Sequence, residues 1–186
     1  MPVHLPITTY GMGILRKKAE PVNKIDTNII ELVDNMFYTM DNAEGVGLAA
    51  PQVNHAISLC IIDISFIDKY KHIKPVALIN PVILESHGEA TDDEGCLSIP
   101  TIRGAVTRPE KIYIKYHDFN MKEVFLETDD LQARVIQHEM DHLNGVLFVD
   151  KLDPDELKKL KSQLNKVKKQ KVETDYPLFS LINEIK

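Results

Sequence analysis

The stretch Gln137-His138-Glu139-Met140-Asp141-His142 holds two imidazoles four residues apart with a carboxylate between them. On an α-helix, residues i and i+4 stand one turn above each other, so His138 and His142 can share one ion. Glu139, on the neighbouring spoke, can lean toward a water on that ion and take its proton. The chemistry this suggests is metal-assisted hydrolysis. Two buried, hydrogen-bonded histidines flanking a surface glutamate would give the same pattern, so the motif needs companions.

Catalytic zinc-type sites use three protein ligands and keep one position open for water. A third donor could come from His4, His55, His72, His87, His117, Cys96 or one of many carboxylates, and spacing does not choose among them. Glu94-Gly95-Cys96-Leu97-Ser98-Ile99-Pro100 reads as a compact turn-like stretch between strand candidates, suited to presenting one thiolate and a free backbone N–H. Taken singly, Cys96 reads as a small core residue.

The elements that must position these groups follow from apolar periodicity. Ile29, Val33, Met36, Phe37 and Met40 predict an amphipathic first helix from Asp26 to about Asn42. Short strands are predicted at Ile57 to Ile62, Val76 to Leu84 around an Asn80-Pro81 break, Ile112 to Tyr116 and Glu123 to Leu126. The last two are joined by His117-Asp118-Phe119-Asn120 as a hairpin. A second helix, about Asp129 to Leu143, carries the histidines, with Asp129 and Gln132 as a capping-box-like pair and Asn144-Gly145 as its stop. On it, Leu131, Val135, His138 and His142 form one stripe and Ile136, Met140 and Leu143 a second, leaving a polar edge at Arg134, Gln137 and Asp141. The histidines therefore face inward. A third helix opens at Asp153-Pro154, with Leu157, Leu160, Leu164 and Val167 as its apolar face. Helices gathered on mainly antiparallel strands predict an α+β fold rather than a doubly wound sheet.

A length of 186 residues, 44% hydrophobic and 27% charged, suits one globular domain over the whole chain, with a C-terminal helix at about 151–172 and a tail at 173–186. No apolar run approaches the roughly 18 to 20 residues that span a bilayer, and the N-terminus lacks a basic region followed by an apolar stretch. Two cysteines make no disulfide framework, and Cys60 sits in an apolar run as a buried thiol would. The expectation is a cytoplasmic protein without a membrane partner. A net charge of −6 argues against DNA as a partner, although lysines 158, 159, 161, 166, 168, 169 and 171 concentrate positive charge on the third helix.

Three segments, Gly45-Val46-Gly47-Leu48-Ala49-Ala50-Pro51-Gln52, Glu94-Gly95-Cys96-Leu97-Ser98 and the histidine motif, together resemble the signature motifs of the peptide deformylases, in the same order. The resemblance runs from near Gly11 through Asp150. It implies that Cys96, His138 and His142 bind one divalent ion, that Glu139 is the base, and that the Leu97 N–H and the Gln52 amide meet the developing oxyanion. It favours Fe(II), with Zn(II), Ni(II) or Co(II) also accepted by such donors. The implied substrate is an N-formylmethionyl nascent peptide, lying against Val46 and Gly47 with its methionine side chain near Leu131 and Val135. Arg134 is charged where some relatives are apolar, and no role is given to it. The lysines of the third helix read first as a wet helix face; the sharper reading is attraction to ribosomal RNA at the tunnel exit. The rival enzyme is a zincin-type endopeptidase, which usually draws a third ligand from downstream, but no His follows position 142. A closed structural metal site in an RNA-binding protein would have no use for Glu139.

Overall fold

The computed structural model of the chain describes residues 1–180. Leu181 and Ile182 of the tail lie outside them. Along the chain, α1 (Thr27–Asn42) is followed by β1 (Gly47–Ala49), β2 (Leu59–Ile62), β3 (Val76–His87), β4 (Ala90–Cys96), β5 (Ile99–Arg108), β6 (Lys111–His117) and β7 (Glu123–Asp129). Then come α2 (Asp130–Leu143) and α3 (Pro154–Lys168). The strands form a five-stranded sheet in the order β1-β2-β3-β6-β7 and a separate β4-β5 hairpin, every pairing antiparallel. This is the expected α+β architecture, and no helix among the described residues is long and apolar enough to cross a membrane.

The sheet is covered on both faces at its β1–β3 side. In β2, Leu59 and Ile61 point to α1, where Val33, Met36 and Met40 meet them, while Cys60 and Ile62 point to Val135, Ile136 and Met140 of α2. That double burial explains why β2 is apolar at every position, without the alternation of a half-wet strand. A third cluster packs Ile99, Ile102 and Val106 of β5 against Phe148, Leu152 and the Leu164 and Val167 face of α3. Burial of side chains this size contributes roughly 1.5–3 kcal/mol each.

Boundaries follow local chemistry. Asp26 caps α1 by accepting from the Ile29 N–H at 3.2 Å, and Asp153 caps α3 by accepting from Asp155 N–H at 2.9 Å ahead of Pro154. The capping pair expected for α2 does not form: Asp129 makes no side-chain cap, and Gln132 Oε1 accepts from the Thr128 hydroxyl at 2.7 Å. The chain passes from β7 into α2 with no loop, turning at Asp130 through φ +52°, and this abrupt entry takes the place of a capped one. At the other end Gly145 takes φ +73° as a stop residue should. The Asn80-Pro81 break is a register shift between Ile79 and Val82 inside a single longer strand, since proline cannot donate to the ladder. The C-terminal helix is shorter than expected. It begins at Pro154 and ends at Lys168, because Gln170 turns the chain with φ +50°.

The β4-β5 hairpin was not foreseen as strands. Glu94 to Cys96 closes β4, and only Leu97 and Ser98 make the turn. Inward positions of β5 run Ile102, Gly104, Val106, Arg108, a period-two pattern that ends on a charge and includes a residue with no side chain. Gly104 is required by packing, since a Cβ there would stand 2.7 Å from Leu152 Cδ2 of the segment leading into α3.

Candidate metal centre and active site

His138 and His142 lie one turn apart on α2 with ring centroids 5.1 Å apart. The hairpin tip brings Cys96 to them: its Sγ is 3.2 Å from His142 Nε2, and one donor atom from each of Cys96, His138 and His142 lies within 4.8 Å of the other two. Such a set is within reach of a single ion bonded at about 2.0–2.3 Å. Both imidazoles are buried, as is Glu139.

His138 is aimed by its far nitrogen. Its Nδ1 faces Glu94 Oε2 at 3.0 Å, which leaves Nε2 for the centre, in the manner of a metal-binding histidine backed by a carboxylate. Glu94 in turn accepts from Arg108 Nε at 2.6 Å and Nη2 at 2.8 Å, and from Arg134 Nη1 at 2.6 Å. Arg108 also donates to Asp141 Oδ2 at 2.7 Å, and Lys151 approaches the same oxygen at 3.3 Å. Arg134 further donates to the carbonyls of Val106 at 3.0 Å and Ala90 at 2.7 Å, fastening the hairpin to α2. The polar edge expected on α2 is therefore largely covered. Gln137 donates to the Pro109 and Ala133 carbonyls at 2.9 and 3.0 Å, and Arg134 and Asp141 belong to a largely buried ion network.

Electrostatics fit the donor set to a cation. Burial opposes charge on His138, but hydrogen bonds to Cys96 and Glu94 more than offset it and hold its pKa up to about 10. Burial, with His138 and Arg108 nearby, pushes His142 well down. Burial also raises Glu94, yet Arg108 and His138 bring it far below the usual carboxylate range. The cluster thus favours one positive charge at its centre. Glu139 Oε2 is buried without a hydrogen-bond partner among the described residues, a polar atom whose cost a group entering the site would offset; His142 Nδ1, the ring nitrogen that does not face Cys96, also has none.

The remaining expected residues converge on the same spot. Gln52 is fully buried; its Oε1 accepts from the Ala49 N–H at 2.8 Å, which turns Nε2 toward Ser98 Oγ at 3.2 Å and Cys96 Sγ at 3.5 Å. Leu97 follows Cys96 at the hairpin tip and touches Gly45, where a Cβ would lie 3.0 Å from Leu97 Cδ1. Gly47 lies against the carboxylate, since a Cβ on it would come within 2.5 Å of Glu139 Oε1 and 2.8 Å of Val135 Cγ1. β1 is the free edge of the large sheet. The Val46 carbonyl accepts from Asp63 N–H at 3.1 Å, so ladder alternation turns the Gly47 main chain toward that open edge. Val135 is buried in the core beneath it, and Leu131 packs on the same cluster.

Sequence reasoning gave no role to Glu94, Arg108 or Arg134. The signal for Arg108 was a lone charge on the inward stripe of β5. Cys60 and the five other histidines stay outside the donor cluster, and Cys60 is an inert buried thiol whose pKa burial drives up.

One thiol and two imidazoles placed to share a single cation, beside a buried carboxylate, are the makings of a metal-dependent hydrolase. Residues 4–158 match the family described as polypeptide deformylase. Peptide deformylases of Chlorobium phaeovibrioides and Chlorobaculum tepidum are 44% and 43% identical, over 94% of this chain and 92% of the former, and 97% of both for the latter. Among solved structures, the peptide deformylase of Legionella pneumophila superposes with a TM-score of 0.82 at 38% identity, covering 91% of this chain and 98% of that one. A plant peptide deformylase gives a TM-score of 0.85 at 34% identity, covering 92% of each chain. The chain belongs to the peptide deformylase family. Its activity is the metal-dependent removal of an N-terminal formyl group.

Proposed function

We propose that Cys96, His138 and His142 hold the metal ion, that Glu139 carries the proton, and that the substrate is the formylmethionine end of a newly made protein. The observation that supports this most is the meeting of three donors from two distant segments beside the unpartnered Oε2 of Glu139. When bound, a divalent ion supplies Lewis acidity, polarising the formyl oxygen and lowering the pKa of water from 15.7 toward about 7. Glu139 Oε2 then takes the proton from the attacking water and returns it to the leaving amine nitrogen, so one carboxylate serves as base and then acid. Negative charge growing on the formyl oxygen meets the Gln52 amide, held donor-side inward by Ala49, and the backbone N–H of Leu97. The substrate backbone extends β1 along Val46 and Gly47, with Gly47 supplying the outward main-chain groups, and the methionine side chain enters between Leu131 and Val135.

The metal is proposed to be Fe(II). Donor type alone admits Zn(II), Ni(II) or Co(II), and availability decides among them. A ferrous ion on a thiolate is open to oxidation, so formate release from a formyl-Met peptide should be lost in air and restored by anaerobic Fe(II) or by Ni(II). Metal analysis of anaerobically purified protein alongside that assay tests the reading. Full activity with zinc alone, insensitive to oxygen, would overturn it.

We further propose that α3 docks on ribosomal RNA near the nascent-chain exit. Lys158, Lys159, Lys161, Lys166 and Lys168 are all exposed on it. Neutralising four of them should weaken ribosome binding and flatten its salt dependence, by roughly 3 units of slope if each meets a phosphate. Hydrolysis of a short formyl peptide should be unchanged. Ribosome affinity equal to the parent's would remove the docking idea.

A further inference from the structure

Beyond α3 the chain turns back and ends its described course against the catalytic loops. Ile7 donates to the Pro177 carbonyl at 2.9 Å and accepts from Phe179 N–H at 2.8 Å, so the tail pairs with the N-terminal segment. That segment is itself stitched to the site. Thr8 N–H donates to the Gln52 carbonyl at 2.8 Å and Tyr10 N–H to the Ser98 carbonyl at 2.8 Å. Within the tail, Gln170 Nε2 donates to the Phe179 carbonyl, and the Thr174 hydroxyl to the Tyr176 carbonyl at 2.7 Å. One side chain reaches the site directly: the Tyr176 hydroxyl donates to the carbonyl of Leu97 at 2.8 Å, across 79 residues of sequence.

Leu97 and Ser98 form a two-residue turn, and the ladder slips between Gly95 and Cys96 just before it. The Tyr10 N–H and the Gln52 amide hold Ser98 on the far side of this tip, and the Tyr176 hydroxyl is what meets the main chain of Leu97 itself. Here the tip carries the sulfur donor and the N–H that faces the reacting oxygen, and small displacements of such groups have large kinetic effects. We propose that Tyr176 is a positioning residue: its hydroxyl holds the Leu97 carbonyl and so sets the place of the Cys96 sulfur and the Leu97 N–H. This rests on the roles given above to Cys96 and Leu97.

The test uses the full chain loaded with Co(II), whose bond to a thiolate absorbs in the near ultraviolet. Tyr176→Phe deletes one oxygen and keeps the ring. Its kcat for a formyl-Met peptide should fall about five- to tenfold, as expected for one lost hydrogen bond, with KM within about twofold. Co(II) release to a chelator should quicken several-fold, and the thiolate band should shift. Gln170→Ala loosens the tail away from the hydroxyl and should leave kcat, release rate and band near the parent's. A Tyr176→Phe protein with parental kcat and release rate, whatever its melting temperature, overturns the proposal, and so does an equal loss in Gln170→Ala. Absence of a thiolate band in the parent, or its survival in Cys96→Ala, would instead refute the assignment of Cys96 as a ligand.

Discussion

Substituting Glu139 by glutamine is expected to lower kcat by about 10²–10⁴-fold while the chain still takes up one metal ion. The glutamine side chain fits the same space beside Gly47 and Val135 but cannot carry a proton from water to amine. Metal content and formate release measured on the same sample separate binding from turnover. A variant of parental activity would remove Glu139 from the mechanism. The same substitution has a thermodynamic consequence in the metal-free protein, where burial raises the carboxyl from 4.5 to about 7. The unfolded chain ionises above about 4.5 but the folded one only above about 7, so the penalty on folding grows between these values and is complete above the second. Glutamine never ionises. The metal-free variant should therefore melt higher than the parent above about pH 7 and at the parental temperature below about pH 4.5. An active-site group that opposes stability is the usual trade between stability and function.

Replacing Glu94 by alanine should have the second large effect, on the scaffold and the metal together. Glu94 is the shared partner of Arg108, Arg134 and the Nδ1 of His138, so its loss leaves buried Arg108 with Asp141 alone, leaves partly buried Arg134 with two carbonyls and no counter-charge, and frees an imidazole to rotate. Breaking a buried pair in this way costs roughly 3–5 kcal/mol, and loss of the carboxylate behind a ligating histidine weakens metal binding about 10–100-fold. Denaturant unfolding of the metal-free variant reads the first and metal competition with a chelator reads the second. Glu94→Gln, which keeps one acceptor for His138, should retain more metal affinity than alanine. Because Arg108 and His138 hold the Glu94 carboxyl far down, its contribution is present above about pH 4.5 and is withdrawn as the pH falls below that value. A Glu94→Ala protein with parental stability and metal affinity would show that His138 needs no partner to hold its place.

These two residues also mark how far the sequence could be read. The placing of Glu139 beside the histidines was legible because it is local: one turn of helix fixes the relation of His138, Glu139 and His142 whatever surrounds them. α1, α2 and α3 were legible for the same reason, as were β2, β3, β6 and β7. The β4-β5 hairpin was not, because its inward stripe holds Gly104, shaped by Leu152, and Arg108, made tolerable there by Glu94 and Asp141. Arg134 and Asp141 read only as a polar helix edge, without a role for Arg134, since nothing within α2 reveals the hairpin that covers them. The docking of the tail could not be read at all, because Tyr176 meets Leu97 across a separation that no periodicity spans.

The sequence by itself determined the kind of chemistry: two imidazoles on one helical face with a carboxylate beside them, a thiol and an amide in motifs resembling one family, and the apolar stripes that build helices and sheet. Tertiary structure decided which residues hold that chemistry in place. Those groups are charges and carbonyls from α2, β4, β5 and the tail, each costly to bury alone and satisfied only when the others arrive, so their meaning exists only after the chain has brought them together.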